Sequence, residues 1–136
     1  MSECIFCKII KKEMPADIIF ENDHILAFLD INPVNAGHTL VVPKQHCDDL
    51  LDTPDAVVGD MLVHSKKIAK AAISAVKADG FNIGINTKPA AGQVVFHTHL
   101  HIIPRFSTDG LKHWPHKKME KAEMQKVKDE IKKQLK

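Results

Sequence analysis

His97-Thr98-His99-Leu100-His101-Ile102-Ile103 is the stretch on which the reading of the fold turns. Polar and apolar residues alternate through it, the period of a half-buried strand. Val94-Val95-Phe96 before it extends the expected strand to Val94–Ile103, with Pro104 as its stop. Side chains two apart share a face. His97, His99 and His101 are therefore expected on one side, and Thr98, Leu100 and Ile102 on the other, where they suit a core. Three imidazoles in a row are costly to bury without partners. One such histidine is ordinarily structural. Three, placed just after the loop Ala90-Ala91-Gly92-Gln93, point to a site.

Upstream, Ile18-Ile19-Phe20 and Ile25 to Leu29 read as strands joined by the turn Glu21-Asn22-Asp23, a hairpin. Asp30 to Gly37 carries loop residues, and His38 to Val42 reads as a third strand stopped by Pro43. Thr53-Pro54-Asp55 predicts a helix start with Thr53 as N-cap and Pro54 in the first turn. Apolar residues from Val58 to Val76 keep helical spacing, and Gly80 is expected as the left-handed cap. Phe81 to Asn86 is a further strand, and Lys88 to Gln93 a loop. Cys4 to Lys12 reads as a short helix or turn. After Ser107-Thr108-Asp109-Gly110 comes a Lys-rich tail in which Met119, Val127, Ile131 and Leu135 form a narrow apolar stripe. This predicts a helix, begun by His116 and docked along one edge of the body, with its lysines solvated. The class is α+β: a mostly antiparallel sheet, one central helix and an extra C-terminal helix.

A chain of 136 residues with formal net charge +2 suits one domain and has no strong field for a specific nucleic acid. No apolar run reaches membrane-spanning length, and Met1 to Lys12 is too short and charged for a signal peptide. Three cysteines fit poorly with a closed disulfide framework, so reduced thiols and a cytoplasmic location are expected. Cys4-x-x-Cys7 has three readings: a zinc site, a vestigial pair and a redox dithiol. No thioredoxin-like strand precedes it, which disfavours the last. Cys47 reads as a lone structural thiol, and His24 and His64 as surface residues.

Neutral imidazole is a good nucleophile at neutral pH when one ring nitrogen is held by an acceptor and the other is free. Neighbouring histidines can orient it, bind phosphate oxygens or protonate a leaving group. Loop N–H groups and the Gln93 amide offer partners for non-bridging oxygens. The rival reading is a metallohydrolase whose zinc is held by the three histidines. It lacks an obvious carboxylate base nearby.

With these residues quoted, the chain resembles the histidine triad (HIT) family. The resemblance rests on His97-Thr98-His99-Leu100-His101-Ile102-Ile103 preceded by Gly92-Gln93-Val94-Val95, and extends upstream through Gly37-His38-Thr39-Leu40-Val41-Val42-Pro43-Lys44-Gln45-His46 and Phe28-Leu29-Asp30-Ile31. It implies a HIT-like domain over residues 1–106 and an extension over 107–136 carrying the basic helix. It also implies a homodimer that binds purine nucleotides and cleaves at the α-phosphate, with nucleoside phosphoramidates, dinucleoside polyphosphates or nucleotidyl sulfates as substrates. In this resemblance His99 attacks to give a nucleotidyl-histidine. His101 contacts phosphate and the leaving group, His38 and His97 support the triad, and Asp30 takes the ribose hydroxyls. Ile31 touches the base, Asn86 and Gln93 are polar groups around the phosphate, and Gly92, Val94 and Val95 complete the substrate-binding set. Val94 departs from the serine of some branches, and His113-Trp114-Pro115 resembles a C-terminal motif of the phosphoramidase branch. Members beginning C-x-F-C bind structural zinc, which implies Cys4, Cys7, His46 and His97 as ligands and no catalytic metal.

Overall fold

The computed structural model describes residues 3–135. A short helix α1 (Ile5–Ile10) leads into the hairpin β1 (Ile18–Glu21) and β2 (Ile25–Leu29), then β3 (Thr39–Pro43). The long helix α2 (Asp55–Val76) follows, then β4 (Gly80–Ile85), β5 (Leu100–Arg105) and a terminal helix α3 (Lys121–Gln134). The strands form one antiparallel sheet in the order β1-β2-β3-β5-β4, the α+β class and antiparallel pairing that the sequence predicts, with β5 rather than β4 beside β3.

Period-2 patterning gives this sheet two apolar faces. On one, Ile25, Ala27, Val41, Leu100 and Ile102 pack against Met61, Ile68 and Ala69 of α2. On the other, Leu26, Phe28, Leu40 and Val42 pack against Phe6 and Ile9 of α1. Strands apolar on both faces are buried strands, which is why β2 and β3 read as near-continuous hydrophobic runs. Among the described residues no helix is long and apolar enough to cross a membrane.

Several boundaries differ from expectation. The strand expected over Val94–Ile103 begins only at Leu100 and runs through Pro104 to Arg105. Pro104 is tolerated because β3 pairs with β5 only as far as Ile102, and the Pro104 carbonyl takes a bond from Asn35 Nδ2 at 2.9 Å. Thr53 does not cap α2. Its hydroxyl donates to the Asp49 carbonyl and meets Thr98 Oγ1, both at 2.8 Å. The left-handed residue ending α2 is Lys77 (φ 58°), and Gly80 instead opens β4. The tail helix starts at Lys121, beyond His116, and has no buried residue, so it does not dock on the body.

One glycine decides where the site lies. Gly37, at φ +87°, turns the loop from β2 into β3, and a Cβ there would stand 3.1 Å from Pro104 Cγ and 3.3 Å from Val76 Cγ1. Only glycine meets both demands. It brings the Asp30–His38 loop against the end of β5.

Candidate functional site

Leu40 pairs with His101 across the β3–β5 ladder, so His101 lies on the α1 face of the sheet. His97 and His99 precede the ladder, yet the alternation persists, and both rings turn toward Phe6 of α1, at centroid distances of 5.8 and 5.2 Å. Thr98 turns the other way. Its N–H donates to the Cys47 carbonyl at 2.8 Å and its hydroxyl meets Thr53. Strand hydrogen bonds are thus replaced here by contacts from residues 46–53.

Hydrogen-bond partners fix the tautomers. His99 Nδ1 lies 2.8 Å from the His97 carbonyl, an acceptor, so Nδ1 carries the hydrogen and Nε2 carries a lone pair. Among the described residues Nε2 has no partner and no buried side-chain nitrogen lacks one, so this atom reaches solvent. His38 Nδ1 accepts from the Val34 N–H at 3.0 Å, which leaves a hydrogen on His38 Nε2. That hydrogen points at His101 Nδ1, 2.9 Å away, and so places a hydrogen on His101 Nε2. The His99 and His101 rings lie 5.0 Å apart. A lone pair and an N–H therefore stand side by side at the open end of the sheet.

Burial disfavours charge on these rings. Desolvation lowers His38 and takes His101 down to about 4, and the Asp30 carboxylate opposes both shifts. Asp30 Oδ2 lies 3.6 Å from His38 Nε2, while Oδ1 accepts the Asn32 N–H at 2.8 Å.

His97 belongs to a second cluster. Its Nε2 donates to the Pro43 carbonyl at 2.9 Å, and His46 Nε2 donates to Asp48 Oδ1 at 3.0 Å. Both Nδ1 atoms therefore carry lone pairs, and these face each other across 3.1 Å. Cys4 Sγ lies 3.3 Å from His97 Nδ1, and Cys7 Sγ lies 3.3 Å from His46 Nδ1 and 3.7 Å from His97 Nδ1. A tetrahedral zinc with bonds of about 2.3 Å to sulfur and 2.0–2.1 Å to nitrogen needs edges of about 3.3–3.8 Å. The donors fit such an ion. The orienting bonds on the far ring nitrogens are those that metal-bound histidines ordinarily have. Burial, then the neighbouring Cys4, raises the Cys7 thiol, so without a cation it holds its proton.

The other expected residues divide. Ile31 and Val94 are each 82% exposed, open to a flat apolar ligand. Among the described residues the Asn86 side chain has no hydrogen-bond partner, and it lies against Gly92 (φ +99°), where a Cβ would come within 3.4 Å of Asn86 Nδ2. Gln93 is buried and fully committed: Nε2 donates to the carbonyls of Asp48 (2.6 Å) and Val95 (3.1 Å), and Oε1 accepts the Lys88 N–H at 2.8 Å. It braces the loop and presents no free amide to a ligand. Val95 packs beside the α1-face core. The three triad histidines do not converge: His97 turns into the cysteine cluster. Sequence reasoning missed Phe6, whose signal was an aromatic residue between the two cysteines. It also missed the brace from Lys88 Nζ to Asp49 Oδ2 at 2.8 Å, which no spacing announces.

Comparison with known proteins accords with this geometry. The HIT domain family matches residues 11–108. An uncharacterized HIT-like protein of Borreliella burgdorferi is 50% identical over 112 residues, 81% of each chain. Adenylylsulfatase HINT3 of Arabidopsis thaliana is 46% identical over 110 residues, covering 81% of this chain and 56% of its own. The crystal structure of SMU.412c from Streptococcus mutans superposes with TM-score 0.94 at 36% identity, over 100% of this chain and 87% of that one. A zinc-bound histidine triad protein from Mycobacterium smegmatis does so with TM-score 0.79 at 40% identity, over 95% and 98%. With its sheet, its histidine arrangement and nearly the whole body matched, the chain belongs to the histidine triad (HIT) family.

Proposed function

We propose that the protein is a purine nucleotide hydrolase or nucleotidyl transferase that cleaves at the α-phosphate through a nucleotidyl-His99 intermediate. The observation that carries this reading is His99 itself, with Nδ1–H held on the His97 carbonyl at 2.8 Å and Nε2 unpartnered and accessible. In the first step a bond forms from Nε2 to phosphorus, and the bond to the leaving group breaks with its electron pair. The His101 Nε2–H hydrogen-bonds the charge that develops there. In the second step water attacks phosphorus and gives up one proton to solvent, while the pair of the P–N bond returns to Nε2. Asp30 accepts the ribose hydroxyls, Ile31 contacts the base, the Asn86 amide and the N–H groups near Gly92 hold phosphate oxygens, and Val94 belongs to the substrate-binding loop beside the leaving group. Val95 serves as packing behind the loop, and Gln93 as its brace.

Zinc fits the Cys4, Cys7, His46 and His97 donors, and a zinc-bound relative supports that ion. When bound it supplies a structural crosslink, because all four donors face inward and leave no open position. The rival metallohydrolase requires His97, His99 and His101 on one ion. Both ring nitrogens of His97 are already committed elsewhere, so this reading gains no support. A nucleotide-binding module with incidental catalysis stays as the second outcome of the test.

The HINT relative acts on an adenylyl sulfate by its name, which supports nucleotidyl conjugates as the substrate class. The homodimer belongs to the same proposal, and so does a cytoplasmic location, which rests on the free cysteines. The HIT domain with its boundary near residue 106 and the extension 107–136 are likewise carried as expected from the sequence.

The test is hydrolysis of AMP phosphoramidate, adenylyl sulfate and diadenosine polyphosphates by the purified protein and by His99→Ala. Turnover by the wild type and its loss in His99→Ala, with AMP binding retained, supports the proposal. Equal turnover by both overturns it.

A further inference from the structure

Lys88 stands where a side chain is costly. Its backbone lies at φ 77° and ψ 155°, a region that glycine takes freely and other residues rarely enter. Both of its main-chain groups are turned into the loop. Its N–H donates to Gln93 Oε1 at 2.8 Å, and its carbonyl accepts from the N–H groups of Ala91 at 3.1 Å and Gln93 at 3.2 Å. These bonds close residues 88–93 into a ring, and Gly92 is set against the Asn86 side chain. A backbone in such a region persists only where its surroundings over-determine it.

We propose that Lys88, paired with Asp49, is a positioning residue for the phosphate-binding loop, an inference that rests on the nucleotidyl-transfer reading above. Lys88 Nζ lies 2.8 Å from Asp49 Oδ2. Exposed ion pairs contribute little as a rule. Here the Asp49 carboxylate is buried, and its Oδ1 already accepts the Leu51 N–H at 3.0 Å. The acceptor is thus fixed before the lysine reaches it, and a charge-assisted bond to such a carboxylate is of the strong kind.

The pair completes a row. Cys47, Asp48 and Asp49 each hold one point of the chain that carries the site. The Cys47 carbonyl takes the Thr98 N–H at 2.8 Å, the Asp48 carbonyl takes Gln93 Nε2 at 2.6 Å, and the Asp49 carboxylate takes Lys88. The first two contacts use main-chain carbonyls and fix the far end of the loop. The third reaches its near end, beside Asn86, and of the three it alone requires a charged side chain. Release of Lys88 therefore frees the Asn86 amide and the N–H groups near Gly92, while His99 keeps its bond to the His97 carbonyl. A loop that is closed only part of the time lowers apparent affinity by that fraction and leaves the chemistry of the bound complex unchanged.

The experiment is a double-mutant cycle of Lys88→Met and Asp49→Asn, with Lys88→Arg beside it. Methionine keeps the unbranched stem, and asparagine keeps an oxygen for the Leu51 N–H. In each variant kcat and KM are measured on AMP phosphoramidate, and amide hydrogen exchange of Ala91 and Gln93 is measured without substrate. Each single variant is expected to raise KM by about 5- to 20-fold with kcat within about 3-fold, and the double variant to raise KM no further than the larger single effect. Exchange at Ala91 and Gln93, whose N–H groups bond the Lys88 carbonyl, is expected to quicken by about 10-fold or more in Lys88→Met. Lys88→Arg keeps the cation and is expected to hold KM within about 3-fold of the wild type. If Lys88→Met raises KM while Asp49→Asn leaves or lowers it, Lys88 binds substrate directly and the proposal is overturned. Additive effects in the double variant, or unchanged exchange in Lys88→Met, overturn it as well. Should Asp49→Asn not fold, exchange in Lys88→Met decides alone. Failure of the nucleophile reading is separate, because it appears as turnover by His99→Ala, whereas the exchange result needs no substrate.

Discussion

His38 Nε2 donates to His101 Nδ1 across 2.9 Å, and this one hydrogen bond decides which nitrogen of His101 carries its hydrogen. The bond is directional because the Val34 N–H occupies the other nitrogen of His38 at 3.0 Å. A main-chain donor thus sets a tautomer two rings away. His38→Ala removes the setting while leaving His99 in place. The expected result is a kcat lower by about 10- to 100-fold, at or below the lower end of the roughly 10²–10⁴-fold that general-acid assistance supplies, with KM changed by less than about 3-fold. Steady-state kinetics on an adenylyl conjugate checks it, and an unchanged kcat removes His38 from the account.

The same burial makes the fold acid-sensitive. His101 sits at about 4 in the native protein through desolvation, and His38 is also lowered. Unfolded histidine titrates near about 6.5. Between those values the unfolded chain binds protons that the native state does not, so stability falls as pH falls from about 6.5 toward 4 and is flat above that window. Urea midpoints across this range, at constant m-value, measure it. A midpoint independent of pH down to about 4.5 contradicts the burial argument.

Loss of one thiol tests the cluster. Cys7→Ser leaves three donors, and metal-linked folding energy goes with the fourth. Zinc content is expected to fall from about one per chain to below about 0.1, with a melting point lower by about 10 °C or more. Mass spectrometry under native conditions and calorimetry read these together. Retained zinc with unchanged melting overturns the ligand assignment.

The tail contributes little to the body. No residue of α3 is buried, whereas Asp109 binds Arg105, the N–H groups of Phe106 and Leu111, and Asn35. Ending the chain after Lys112 is expected to shift the melting point by less than about 3 °C, in line with other surface changes. Asp109→Asn is expected to lower it more than that whole deletion does. The reverse order places the tail in the core.

Much of this was legible in residue order. The alternation His97-x-His99-x-His101 put three rings on one side, and they are there. The ladder's start was not legible, because the segment before Leu100 is held by Asp48, Cys47 and Thr53, partners distant in sequence. Thr53-Pro54-Asp55 has the composition of an N-cap, yet Thr53 spends its hydroxyl on Asp49 and Thr98. Local propensity lost there to a tertiary hydrogen bond. Lys77 ends α2 in the left-handed conformation ahead of Gly80, a choice that spacing alone does not reveal. Cys4 and Cys7 announced a cluster and the resemblance already set His97 beside them, but how the rings are held, His97 on the Pro43 carbonyl and His99 on the His97 carbonyl, was not legible. Gln93 looked like a phosphate partner because its type suits one, and only its three internal bonds disclose the brace.

The central claim is that His99 Nε2 takes up the nucleotidyl group. Rapid acid-free quenching of the protein with an adenylyl conjugate, followed by peptide mass spectrometry and phosphorus NMR, tests it most directly. The account predicts an AMP adduct on the peptide containing His99, bonded through Nε2 and lost in His99→Ala. An adduct on another residue, or turnover with phosphorus never bonded to the protein, contradicts it.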